Sequence, residues 1–234
     1  MTLRPWIALF SLTILAWAVA GAAETERAVT FTVFGETGHD WSGLFFSPDG
    51  ESFEELPFVR YTRSAPQRAT IPGDRIRVHR RDLAADGTFV YPVAGEAVLD
   101  AGVDEVLLFF FAGRGAARGE ERGRFRVMAM DDSASALPRD HLVFFNATGV
   151  QLFGALDTQE LTLNPGQSRA LDLRGLFGRE VPVGLVVRSG ETFERVLVNR
   201  LRFSPHRRTV ILLLPPRREG SYRIQAVRLS EAVE

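Results

Sequence analysis

The residues of this chain that could do chemistry are four histidines, a few neighbouring carboxylates and the tryptophan at position 41. The histidines are His39, His79, His141 and His206, and no two lie two or four positions apart, so none forms a local metal-ligand pair. His79 falls on the outward parity of the alternating run RIRVHR (75–80), and His206 sits in the turn SPHRRT. Carboxylates adjoin at Glu54–Glu55, Asp104–Glu105, Glu120–Glu121 and Asp131–Asp132. Neighbours in a strand point to opposite faces, so such pairs do not by themselves make the facing carboxyls of glycoside hydrolysis. There is no Cys, which removes disulfides, thiolate nucleophiles and thiolate metal sites. No G-x-S-x-G elbow and no phosphate-cradling glycine loop before a helix occurs. GRGAARGEERG (113–123) is glycine-rich, but it lies between two strand patterns, carries both charge signs and reads as a loop.

Two stretches remain. GETGHDWSG (35–43) places His39, Asp40 and Trp41 in a turn after a strand, and these three are the candidate ligand-binding residues. A tryptophan beside polar groups can stack on a sugar ring; it can equally pack over the end of a β-sandwich. DDSASALPRDH (131–141) gathers Asp131, Asp132, Asp140 and His141, oxygen-rich enough for Ca²⁺ between modules. The spacing fits no defined calcium loop, so no metal or other cofactor is assigned. Asn146-Ala147-Thr148 has the form of an N-glycosylation acceptor.

The elements that must position these groups are strands. After residue 24 no long stretch repeats apolar residues with helical period. Short alternating runs recur between Gly, Pro, Asp and Ser: VTFTVFG (29–35), RIRVHR (75–80), RFRVMAM (124–130) and YRIQAVRL (222–229). LFFSPDGESFEEL (44–56), ELTLNPGQSRALDL (160–173) and VGLVVRSGETFERVLVNRLRF (183–203) read as hairpins about turn residues. EVLLFFFAG (105–113) and TVILLLPP (209–216) are apolar throughout, the pattern of strands buried on both faces.

The second half repeats the first. FTVFGETG (31–38) aligns with LVFFNATG (142–149) at an offset of 111, VLLFFF (106–111) with VILLLP (210–215) at 104, and GRFRVMAMDDS (123–133) with GSYRIQAVRLS (220–230) at 97. Element order is kept while loops shorten, as in a duplicated module of β-sandwich size. The expectation is an all-β chain of two tandem Ig-like β-sandwich modules, 28–132 and 141–234, joined by the short linker 133–140. Pro138 makes that linker stiff, so the modules should touch.

The N-terminus MTLRPWIALFSLTILAWAVAGAAETE has one cation, Arg4, an apolar run from Trp6 to Val19 and then small residues. This is a signal-peptide pattern over 1–23, with cleavage after Ala22 or Ala23, and it predicts an exported protein in the periplasm or at the cell surface. The alternative is an uncleaved anchor. Cleavage would leave Trp41 as the only tryptophan and no further membrane-inserting run. The formal net charge is −1, and all 28 basic residues are Arg spread along the chain, as a GC-rich coding bias produces. Such a balance does not point to nucleic acid as a partner.

FFSPDG, RSAPQRATIPGDRIRVHRRD, VLLFFFAG, FRVMAMDDSASALPRDHLVFFNATG and LTLNPGQSRALDL together resemble uncharacterised exported proteins of verrucomicrobial-type bacteria. The resemblance spans most of the mature chain and implies tandem β-sandwiches, with no activity to carry over. HLVFFNATG followed by LNPGQS is also similar, over a short stretch, to the opening of an alginate-acetylation accessory protein. The resulting expectation is a non-catalytic envelope or surface interaction protein whose partner is a protein or polysaccharide. The alternative is a polysaccharide-binding or exopolysaccharide-modification accessory.

Overall fold

A computed structural model describes residues 25–112, 125–218 and 220–233. The expected signal segment and the whole glycine-rich stretch 113–123 lie outside them. The described chain is all-β, with one short 3₁₀ turn at Arg174–Leu176. The first part contains β1 (Glu26–Gly35), β2 (Leu44–Phe46), β3 (Glu54–Glu55), β4 (Gln67–Pro72), β5 (Arg75–Arg80), β6 (Asp82–Leu83), β7 (Phe89–Val90), β8 (Val93–Val98), β9 (Glu105–Ala112) and β10 (Phe125–Asp131). The second contains β11 (His141–Asn146), β12 (Leu152–Leu156), β13 (Gln159–Leu163), β14 (Gly166–Gln167), β15 (Leu171–Asp172), β16 (Glu180–Ser189), β17 (Thr192–Arg202), β18 (Arg207–Leu214) and β19 (Gln225–Ala232).

Each part forms two sheets over a core. In the first, β10-β9-β1-β4 faces β3-β2-β5-β8; in the second, β19-β18-β11-β14, with β15 also on β11, faces β13-β12-β16-β17. Both share one unusual pairing: the first strand runs parallel to the penultimate one, β1 with β9 and β11 with β18. The strand orders of the two sandwiches correspond, apart from the two-stranded β6-β7 ribbon of the first and β15 of the second.

Alternation builds the cores. Ile76 and Val78 of β5 point inward while Arg75 and Arg77 stay exposed, and Ala69 and Ile71 of β4 meet them from the facing sheet. The fully apolar strands face two ways. In β9, Val106, Leu108 and Phe110 enter the first sandwich, whereas Leu107, Phe109 and Phe111 point away from it. In β11, Leu142 and Phe144 enter the second sandwich, and Val143 and Phe145 turn outward; β18 divides in the same way. The outward sets meet each other, so a third apolar core joins the sandwiches and the sheets stack in four layers. Parallel pairs covered on both faces are the expected use of such strands.

The linker belongs to this packing. Ser133 starts a turn closed by Ala136 and Leu137 N–H groups on its carbonyl, and Leu137 is buried in the third core. Two readings need correction. Residues 160–173 do not form a hairpin: β13 pairs with β12 but β14 pairs with β11, so the chain crosses between sheets at Asn164–Pro165. His79 keeps the outward parity of Arg75 and Arg77, since the extra residue at the register shift is Ala94 of β8, but it is half-buried there: Phe53 packs on its ring at 4.9 Å and its Nδ1 lies 2.8 Å from the Tyr91 carbonyl. Alternation along 222–229 puts Tyr222 and Ala226 on the same buried face as Ile224, but only Ile224 is buried: Tyr222 precedes β19, the Ile224 N–H bonds the Val196 carbonyl, and Ala226 within β19 is exposed.

Candidate functional site

The turn after β1 forms one wall of a cleft of about 790 Å³ at the end of the first sandwich; the loop from Glu55 to Tyr61 forms the other. That volume lies within the usual range of small-molecule sites. His39, Asp40 and Trp41 all line it.

Trp41 is turned toward the core. Its ring packs against Phe58, Phe110 and Phe125 at centroid distances of 6.1, 6.0 and 6.2 Å. Its Nε1–H donates to the Glu36 carbonyl at 2.9 Å. The indole lies directly on the Gly35 backbone, where a Cβ would come within 2.3 Å of Trp41 Cδ1. Gly35 is therefore required by the tryptophan, and Trp41 closes the sandwich end. His39 flanks the indole at 5.7 Å, with its Nε2 3.8 Å from the buried Glu36 carboxylate. Arg217 of the second sandwich reaches the same carboxylate at 3.9 Å. Asp40 accepts the Ser42 N–H, and Glu55 Oε1 accepts the Gly43 N–H at 2.9 Å, tying the two walls together.

The aromatic surface open to the cleft mouth is Tyr61, 70% exposed. Its backbone φ is +66°, a left-handed conformation that bulky residues seldom adopt. The Arg60 guanidinium carbon sits 5.6 Å from its ring centroid. Sequence reasoning passed over this residue because the loop around it has no periodicity; an aromatic in a stretch flanked by Pro57 and Pro66 was the available signal.

The module junction is held by guanidinium groups. Arg63, from the loop before β4, is buried with its Nη1 2.6 Å from Asp132 Oδ2 and its Nε 2.8 Å from Glu231 Oε1. Arg208 of β18 contacts the same two acids at 3.5 and 3.0 Å. Burial pushes the Asp132 carboxyl above its ordinary range, opposed by the charges of Arg63 and then Arg208. Its Oδ1 is buried without a hydrogen-bond partner. The Gln167 side chain adds two bonds to the Asp131 backbone, at 2.9 and 3.0 Å.

Asp131, Asp132, Asp140 and His141 thus do not converge on an ion. Asp140 accepts the His206 N–H, and His141 contacts the Arg139 carbonyl. Among the described residues, no group of three or more His, Asp or Glu could hold a metal. The glycosylation reading is corrected too: Asn146 is 1% exposed, and its Nδ2 donates to the Val150 and Leu163 carbonyls.

No protein-family model matches this chain, and no curated protein does.

Proposed function

We propose that this is a non-catalytic, exported envelope or surface interaction protein, built from a duplicated β-sandwich module that serves as one rigid unit. The observation that carries this is the third core. Leu107, Phe109 and Phe111 of one sandwich pack against Val143, Phe145 and Leu212 of the other, so the modules are not free to swing. The guanidinium clamp at the junction supports the same reading. A fixed spacing between two surfaces suits a scaffold. Neither this role nor the next requires a cofactor.

A second reading, a polysaccharide-binding accessory, is favoured by the cleft beside the 36–42 turn. Fractionation of cells expressing the full chain and a chain lacking residues 1–23, followed by binding of the purified protein to envelope polysaccharide and to envelope protein fractions, tests both. Export dependent on residues 1–23, with binding and no turnover, is expected. Retention in the cytoplasm, or hydrolysis of a glycan or ester substrate, overturns the proposal.

A further inference from the structure

The cleft has what a sugar site needs, but at a different aromatic from the one its sequence suggests. Both requirements of sugar recognition are an open aromatic face and hydrogen-bonding groups around it. Trp41 offers little: its ring is packed on three phenylalanines and its N–H is spent on the Glu36 carbonyl. Tyr61 has the open face, 70% exposed at the cleft mouth. It is held there in a backbone conformation that costs energy for a tyrosine, which a purely structural loop would be expected to fill with Gly or Asn.

We infer that Tyr61 is the stacking platform of an oligosaccharide site, with Arg60, Thr37, Ser42 and Glu55 supplying hydrogen bonds to the sugar hydroxyls. The inference rests on the polysaccharide-binding reading and names its residues. Charge narrows the ligand class. Among the described residues, the lining carries the carboxylates Glu36, Asp40 and Glu55 against the guanidinium of Arg60 and the His39 imidazole; Arg217, outside the lining, offsets Glu36 at 3.9 Å, which leaves Asp40 and Glu55 against Arg60. A polyuronate would be repelled there, so the ligand is a neutral glycan. Glu55 spends one carboxylate oxygen on Gly43 N–H, and a carboxylate offers about four acceptor positions in all.

The test is titration of the full chain with cellohexaose, chitohexaose and oligomannuronate, using wild type, Tyr61→Asn and Tyr61→Phe. Asn tolerates the left-handed backbone, so its variant removes the ring without adding strain. Wild type should bind a neutral hexamer; Tyr61→Asn should weaken it about tenfold or more, and Tyr61→Phe should retain most of it. Thermal melting confirms that both variants fold. If wild type binds a neutral hexamer and Tyr61→Asn binds it equally well, the stacking assignment falls while the polysaccharide reading stands. Preference for oligomannuronate overturns the neutral-ligand assignment. Absence of binding to all three probes overturns the assignment together with the reading on which it rests.

Discussion

The Phe109 and Phe145 rings meet across the boundary between the two sandwiches, with centroids 4.9 Å apart and planes tilted by 55°. Phe109 lies on β9 and Phe145 on β11, in different sheets, and both are at least 97% buried. The contact makes the boundary a core: each ring is desolvated by the partner sandwich, so neither sandwich keeps that face dry alone.

A single cooperative unfolding transition is therefore expected in calorimetry. Phe109→Ala should cost about 3–5 kcal/mol, the range for deleting a buried aromatic ring. Phe109→Asp should separate the melt into two transitions, because a carboxylate there has no partner and opens the boundary. An unchanged single transition in Phe109→Asp would show that the sandwiches do not depend on each other.

Asp132→Ala should destabilise by about 3 kcal/mol in urea unfolding, toward the low end for breaking a buried ion pair, since Glu231 still faces Arg63. Replacing Arg63 by Met and Asp132 by Leu together should cost much less than Asp132→Ala, because the orphaned charge is gone. Equal losses would mean that packing, not charge, holds this corner.

Tyr61→Gly should stabilise the fold by about 1 kcal/mol, since glycine enters the left-handed region without the clash a Cβ makes. A lower melting temperature for this variant would show that the ring contributes contacts worth more than the strain.

A chain ending at residue 219 lacks β19, which pairs along β18 from Arg207↔Ala232 to Leu214↔Gln225 and places Val227 and Leu229 in the third core. That truncation should unfold the second sandwich, leaving β18 unpaired at an edge. A melt like that of the full chain would contradict this pairing.

Acid should weaken the fold. Asp157 is held below its ordinary value by the Arg179 hydrogen bond, Asp172 by Arg174, Glu96 by Arg75, and Glu180 by Arg202 and then Arg200. A depressed folded-state value means stability that is present above about pH 4 and lost as pH falls through the folded value. These groups are exposed, so added salt should shrink the effect. Asp132 acts oppositely: its raised value favours the fold in acid, and that contribution is lost as pH rises through the folded value. Urea midpoints at neutral and acid pH, with and without salt, measure the balance; a higher midpoint in acid would mean that Asp132 outweighs the exposed set.

Sequence alone determined the strand class, the direction of most side chains and the double-sided burial of β9 and β18. These depend on the two-residue period of a strand, which is local and written in neighbouring residues. The continuous run VLLFFF carried the further message that something had to cover the second face. It also placed His39, Asp40 and Trp41 together in one turn. Tertiary structure decided how those groups are used. Arg63 finds Asp132 over 69 positions and Arg208 finds it over 76, separations at which no spacing rule operates. The inward turn of Trp41 depends on Phe58 and Phe125 arriving from distant segments, and the half-burial of the outward His79 depends on Phe53 and Tyr91 closing over it. Local period sets which way a side chain points; only the closure of loops and sheets sets what it meets there.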